Sequence, residues 1–371
     1  MKRLLLAGGG QAHALVLREL SRRRFTGIDV IVVTPSSRLL YSGMLPGWVA
    51  GHYALHELTV ELAPLVHAAG AKLIRAQLQR LDPTNRVAYA DSGDAIDFDV
   101  LSIATGAAID VDAISGAREH ALPLRPFDGF VIGWEQIMRD AQAASDGYCV
   151  TVIGAGAAGT EIALAAAYRT RTARFPMRVQ MLTGGDPILP GHGHRARSLM
   201  HAALAKGNVQ IVAATADCIE PDTVIPRDAP RIATDATLVA TGASAPAWLR
   251  HSQLALDDRG FIAINSHLQS ISHPFVFAAG DVATLIETPR PKSGVFAVRA
   301  AKPLAANLIA ALTGAPLRSF SPQRRALYLL STGPQHAIAS WGGLAGAGRW
   351  LWHWKNRIDR DYIAKLNRSK N

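Results

Sequence analysis

The stretch Val150-Thr151-Val152-Ile153 reads as a buried strand that ends on Gly154, with glycine again at Gly156 and Gly159 and an alanine-rich helical pattern from Ile162 to Tyr168. Strand, tight turn and helix start is what three glycines at this spacing serve. Gly154 lets the backbone turn, Gly156 keeps a Cβ out of the path of a pyrophosphate, and Gly159 lets the helix pack closely on the strand. The pyrophosphate would rest on the free N–H groups and positive dipole end of that helix. A second unit opens the chain, Leu4-Leu5-Leu6-Ala7-Gly8-Gly9-Gly10-Gln11-Ala12-His13, followed by a helix from Ala12 to Arg24. Its third fingerprint position is His13, where glycine is usual. The next strand, Asp29 to Val33, ends in Thr34-Pro35, where a ribose-binding acid is usual.

Two such units need two cores, and 371 residues at 49% hydrophobic content supply them. No run approaches the ~20 apolar residues of a bilayer-spanning helix. Met1-Lys2-Arg3 followed by Leu4-Leu5-Leu6-Ala7 is too short for a signal peptide, so it is read as the first strand of a cytoplasmic protein. The two cysteines, Cys149 and Cys218, have no metal-like or C-x-x-C spacing and are read as small buried residues. His192 and His194 lie on a Pro-Gly loop and are expected to be exposed; no metal site is expected. Net charge is +10, and ten basic residues between Arg318 and Asn371 against Asp359 and Asp361 place most of the excess in the tail.

Between the units the pattern repeats. Asp99-Val100-Leu101-Ser102-Ile103 ends in Ala104-Thr105-Gly106, and Ala236-Thr237-Leu238-Val239 ends in Ala240-Thr241-Gly242, each at a similar distance from its own glycine turn. An internal duplication is the economical explanation. Tyr41-Ser42-Gly43-Met44-Leu45-Pro46-Gly47 is a small-residue loop opening a helix. Leu73 to Leu78 and Val87 to Ala90 read as strands of a meander turned by Pro83-Thr84-Asn85. Pro274 to Ala279 is a strand ending in Gly280-Asp281, and Lys292-Ser293-Gly294-Val295-Phe296 leads into a helix from Ala297 to Leu312. An aspartate there can accept from polyol hydroxyls, and the helix start offers N–H groups to an electron-rich carbonyl.

The order of these motifs resembles the two-dinucleotide flavoproteins, the pyridine nucleotide-disulfide oxidoreductases, over about residues 1–312. Within them the chain is similar to type II NADH dehydrogenases and, in Gly8–His13 and Tyr41–Gly47, to flavoproteins fused to selenide, water dikinase. The resemblance implies an α/β fold with two Rossmann-like domains. An FAD domain would be built from 1–112 and 246–315, an NAD(P)H domain inserted at 113–245, and a C-terminal region would occupy 316–371. It implies that Gly8, Gly10, Gln11, Ala12 and His13 hold the FAD pyrophosphate and that Thr34 and Arg38 flank the ribose. Ser42, Gly43, Leu78, Ala104, Thr105 and Gly106 would line the flavin, Gly280 and Asp281 the ribityl chain, and Gly294 and Val295 the pyrimidine edge. Gly154, Gly156, Ala157, Ala158 and Gly159, with Thr183, would cradle the nicotinamide nucleotide, closed over by Thr241-Gly242. By the same resemblance Glu161 lies near nicotinamide and flavin as a catalytic residue; Lys292 is the second catalytic candidate, because a cation near the flavin would stabilise its anionic reduced form, with an ordinary loop lysine as the alternative.

Departures narrow the chemistry. No cysteine stands in 41–47, so no thiolate is available for disulfide reduction, and the places of Cys149 and Cys218 disfavour a sulfide:quinone mechanism. After the strand Arg178 to Leu182 comes Thr183-Gly184-Gly185-Asp186; Asp186 is late for a 2′-hydroxyl partner, Arg195 and Arg197 could meet a 2′-phosphate, and NADH against NADPH stays open.

Four of the seven tryptophans, Trp341, Trp350, Trp352 and Trp354, fall in the tail. Leu351, Trp354, Ile358, Tyr362 and Leu366 recur at helical spacing, among Lys355, Arg357, Arg360, Lys365 and Arg368. Such a helix suits peripheral contact with an anionic membrane on its inner face; docking on the chain's own body or on a sister subunit stays open, as does a homodimer. No nucleic-acid-reading module is present. The expected function is hydride transfer from NAD(P)H to flavin with onward electron transfer to a quinone. A soluble reductase serving a protein or selenium-metabolism partner and a non-catalytic nucleotide sensor are the alternatives.

Overall fold

The computed structural model describes residues 1–22, 26–173, 177–185 and 187–368. Two five-stranded sheets, parallel throughout, carry the fold. The first has the order Val276–Ala278, Val100–Ile103, Lys2–Ala7, Ile28–Val33, Lys72–Ile74. The second has the order Ala121–Pro123, Ala236–Val239, Tyr148–Ile153, Met177–Leu182, Val209–Val212. In both, the strand leading to the glycine turn is central. Leu4, Leu5, Leu6 and Ala7 are all buried, as are Val150, Thr151 and Val152. Parallel strands covered on both faces select such runs, because neither face can be polar.

Four helices position the site: α1 (Gln11–Leu20), α2 (Ala157–Ala173), α3 (Gly294–Thr313) and α4 (Arg349–Asn367). Each glycine turn opens the helix that follows it, α1 in the first unit and α2 in the second. The chain passes between the units along Ala108–Ile109 and returns along Ala243–Ser244, and these two short strands pair antiparallel as a hinge. Three expected elements move. α1 ends at Leu20, and Arg24 lies outside the described residues. Lys72–Ile74 is the edge strand of the first sheet; the meander is Leu78–Asp82, Val87–Ala90 and Ala95–Asp97. α3 begins at Gly294, and with a mean hydropathy of 1.5 over its best window it is long and apolar enough to span a bilayer. That corrects the expectation that no segment reaches that limit. Here α3 is a core helix on α1, burying Ala300, Ala301, Leu304 and Leu308.

The C-terminal module is a three-stranded antiparallel sheet, Leu327–Ser331, Ala337–Trp341 and Leu344–Gly348, followed by α4. The expected single stripe on α4 divides. Leu351, Trp352, Lys355, Asp359, Ile363 and Leu366 are buried on the body, whereas Trp350, Trp354 and Ile358 are 66%, 43% and 43% exposed. The inward face contains an ion pair, so apolar spacing alone could not reveal it.

Candidate functional site

The two glycine turns are built alike, bond for bond. Gly8 N donates to Val33 O at 2.7 Å, and Gly154 N to Leu182 O at 2.9 Å. Ala104 N donates to Ala7 O, and Ala240 N to Ile153 O, each at 2.8 Å. Thr34 N donates to Ile74 O and Thr183 N to Val212 O, each at 3.1 Å. Gly8 and Gly154 have φ of +101° and +119°, where side chains are disfavoured. A Cβ on Gly8 would meet Ala104 O at 2.6 Å, and one on Gly154 would meet Ala240 O. Each Ala-Thr-Gly segment therefore packs against its own turn, and the repeated motif has a steric reason.

A cleft of about 1380 Å³ lies over the first turn. Of the residues expected to hold a cofactor there, it is lined by Gly8, Gly10, Gln11, Ala12, Thr34, Arg38, Ser42, Leu78, Ala104, Thr105, Gly106, Gly280, Asp281 and Gly294. Gly10 caps α1 in extended conformation without a side-chain bond, so the first N–H groups of the helix have no carbonyl one turn back. Segment Arg125–Asp128, which follows the Ala121–Pro123 strand of the second sheet, runs along the same cleft. Arg125 Nη2 reaches Asp281 Oδ2 at 3.0 Å, and Arg38 Nε reaches Asp128 Oδ1 at 2.9 Å. Arg125 and Asp128 were missed in the sequence because their partners are distant in the chain; the only local signal was the Arg-Pro-Phe-Asp run.

Five expected residues stand elsewhere. His13 is wholly buried behind the turn: its Nδ1–H donates to Gly8 O at 2.6 Å and its Nε2 accepts from Ser102 Oγ at 2.8 Å, and burial pulls its pKa down to about 4. The ring is thus a neutral strut with no face on the cleft. Gly43 lies against the Tyr41 ring and turns its carbonyl to Lys355 Nζ. Val295 is not among the cleft's lining residues. Lys292 Nζ donates to Ala283 O at 2.7 Å and Thr284 Oγ1 at 2.8 Å and sits 3.7 Å from the Phe261 ring centroid, in a small pocket behind Gly280 and Asp281, which it shares with the cleft; burial pulls its pKa down to about 8. Glu161, on the first turns of α2, accepts from Ser331 N at 2.7 Å. Burial pushes it up to about 7, against the opposing pull of Lys355. Its carboxylate is tied to the C-terminal sheet and does not line the cleft.

At the second turn, Gly156 precedes α2 and a Cβ there would meet nothing within 4 Å; the same holds for Gly184, Gly185 and Gly242. Ala157 is half-buried and Ala158 exposed beside it. A Cβ on Gly159 would collide with Gly154 O, which accounts for glycine there. Thr183 is buried under the turn, and Thr241 is half-buried. Leu189 N returns to Ala155 O at 2.9 Å, closing the loop after Met177–Leu182 over this turn. Asp186 lies outside the described residues. His192 is half-buried, bonded to Ser340 Oγ at 2.9 Å and packed edge-on to Tyr328, which corrects the exposed reading. Arg195 is exposed and Arg197 half-buried on helix His194–Lys206, which packs against the C-terminal hairpin. Cys149 is buried and Cys218 half-buried.

The model of one family, pyridine nucleotide-disulphide oxidoreductase, matches residues 2–301. The chain belongs to that family. An NADH dehydrogenase-like protein of Mycobacterium tuberculosis is 24% identical over 232 residues, 60% of this chain and 58% of that protein. The chain thus aligns with a little over half the length of that relative. Among solved structures, the sulfide:quinone oxidoreductase of Aquifex aeolicus superposes with a TM-score of 0.82 at 19% identity, covering 99% of this chain and 92% of that one. NDH2 of Plasmodium falciparum, solved with NADH, gives 0.81 at 11% identity, covering 99% and 97%. These likenesses show the family and its fold.

Proposed function

We propose that the chain is an FAD-dependent NAD(P)H dehydrogenase that passes electrons to a quinone. The carrying observation is the duplicated turn, repeated bond for bond in two sheets joined by one hinge. The cleft over the first turn fits FAD: its volume of about 1380 Å³ takes a large ligand, the α1 N-terminus suits a pyrophosphate, and Asp281 suits ribityl hydroxyls. Bound FAD supplies the redox-active ring; the chain's part is to hold two rings in contact and keep water out. The second turn, open in front of Gly156, is the nicotinamide nucleotide's place by the same argument.

The quinone reading rests on the exposed apolar patch of the C-terminal module together with the quinone-reducing protein among the similar folds. Trp341, Leu344, Trp350, Trp354 and Ile358 are all at least 43% exposed, and Trp350 and Trp354 stack at 6.4 Å. Arg349 and Arg357 belong to the same helix. Indole rings beside cations are the composition that suits the interface of an anionic bilayer, and they support a reading of peripheral contact with the inner face of the cell membrane. The test is anaerobic mixing of the yellow protein with NADH or NADPH, followed by a water-soluble quinone. Rapid bleaching of the flavin and rapid return of colour are expected. A protein that takes up no FAD sinks the reading; one reduced quickly but reoxidised slowly by quinone removes the acceptor only.

A further inference from the structure

Ser42 lines the cleft, and α4 grips the residue on either side of it from behind. Gly43 O accepts from Lys355 Nζ, which also donates to Asp359 Oδ2 at 2.5 Å. The other oxygen of Asp359 accepts from the Tyr41 hydroxyl at 3.0 Å, and the Tyr41 ring lies 4.7 Å from that of Tyr362. Lys355 and Asp359 are 9% and 4% exposed. Apolar side chains of similar volume generally stabilise a buried site as well as an ion pair does or better, so general stability is a poor account of this pair. What the pair does geometrically is fix a turn. Ser42 Oγ in turn accepts from Gln11 Nε2 at 3.4 Å, and Gln11 opens α1.

We infer that Lys355 and Asp359 are positioning residues for the flavin site: the C-terminal helix fixes the Tyr41–Gly43 turn, and so the placement of Ser42 and Gln11 in the cleft. The inference rests on the reading of the cleft as an FAD site. α4 has other holds on the chain beyond that turn, Tyr53 Oη to Asn356 Oδ1 at 2.8 Å and Arg360 Nη2 to Glu57 Oε1 at 2.7 Å. Removing the inner pair therefore leaves the helix attached.

The double variant Lys355→Met with Asp359→Leu removes both charges together, so neither is left buried alone, and takes the partners away from the Tyr41 hydroxyl and the Gly43 carbonyl. Tyr41→Phe keeps the ring and deletes its hydroxyl. Arg360→Ala breaks an outer contact of the same helix and serves as the control. On the purified holoprotein, FAD release is followed by recovery of flavin fluorescence, together with the visible flavin spectrum and far-ultraviolet circular dichroism. The double variant is expected to keep its circular dichroism, release FAD about tenfold faster, the scale of one hydrogen bond to a charged group, and shift the flavin band. Tyr41→Phe moves both readouts less in the same direction, and Arg360→Ala moves neither. An unchanged spectrum and release rate in the double variant, or an equal change in Arg360→Ala, overturns the inference. If the double variant does not fold, Tyr41→Phe decides, and unchanged release there overturns it. A wild-type protein that binds no FAD overturns the proposed function instead.

Discussion

His13 occupies the position at which the second unit has Gly159, and both residues answer to the same carbonyl of their turn. At Gly159 the helix runs so close that a Cβ would strike Gly154 O; at His13 the ring reaches across and bonds Gly8 O. The Gly8 carbonyl fixes a proton on Nδ1, and burial keeps the ring neutral, so that Nε2 accepts from Ser102 Oγ. The folded pKa of about 4 is below the ordinary 6.5, so the unfolded chain binds the proton first as pH falls. The stabilisation is complete above pH 6.5 and is lost as pH drops toward 4. Urea unfolding of wild type and His13→Gln at pH 7.5 and pH 5 is expected to show the gap between them narrowing by about 2 kcal/mol at the lower pH. A constant gap would mean that the ring does not titrate this way. The second unit gives the complementary prediction. Gly156→Val puts its Cβ where no heavy atom lies within 4 Å, so folding is expected to survive, but its methyls fill the approach of a pyrophosphate. The NADH Kd is expected to rise by at least about tenfold with FAD content unchanged, measured by titration of the purified flavoprotein. Loss of both cofactors together would argue against separate sites.

α4 shows what periodicity can and cannot report. A helix was legible from the spacing of Leu351, Trp354, Ile358, Tyr362 and Leu366, but the direction it faces was not. The buried face is centred on Lys355 and Asp359, which a hydrophobicity pattern scores as solvent-facing. Their partners, Gly43 and Tyr41, are some 300 residues away in sequence, beyond any local signal. With those charges turned inward, the outer face is more apolar than the sequence implied: Trp350, Trp354 and Ile358 form one row at i, i+4 and i+8. Burying such a side chain in an apolar phase is worth ~1.5–3 kcal/mol. The triple variant Trp350→Ser, Trp354→Ser, Ile358→Ser is expected to lose co-sedimentation with anionic liposomes while keeping its circular dichroism, with a lower Tm for the packing that the half-covered Trp354 and Ile358 give up. Equal sedimentation of variant and wild type would remove the membrane reading.

Across the molecule, the parts that repeat were the parts that could be read. Each unit had to carry its own strand, glycine turn and Ala-Thr-Gly segment, and the sheets confirm why: Gly8 packs on Ala104, and Gly154 on Ala240. What joins the units left no such trace, because a pair of ion pairs across a cleft needs only one charged residue at each of four places. Arg125 and Asp128 flank a single short segment of the second unit, yet they reach opposite walls of the first, Asp281 and Arg38. The segment thus lines the cleft and is tied at both ends by ion pairs. Arg38 and Asp128 are partly open to water, with side chains 35% and 39% exposed, so that end contributes only ~0.2–1 kcal/mol and is screened by salt. FAD release, followed by flavin fluorescence, is therefore expected to quicken as ionic strength rises from roughly 0.05 to 0.5 M. Asp128→Asn is expected to quicken it by about two- to fivefold at low salt and to flatten the salt dependence. If release in Asp128→Asn matches wild type at every salt concentration, the ion pair takes no part in holding the cofactor.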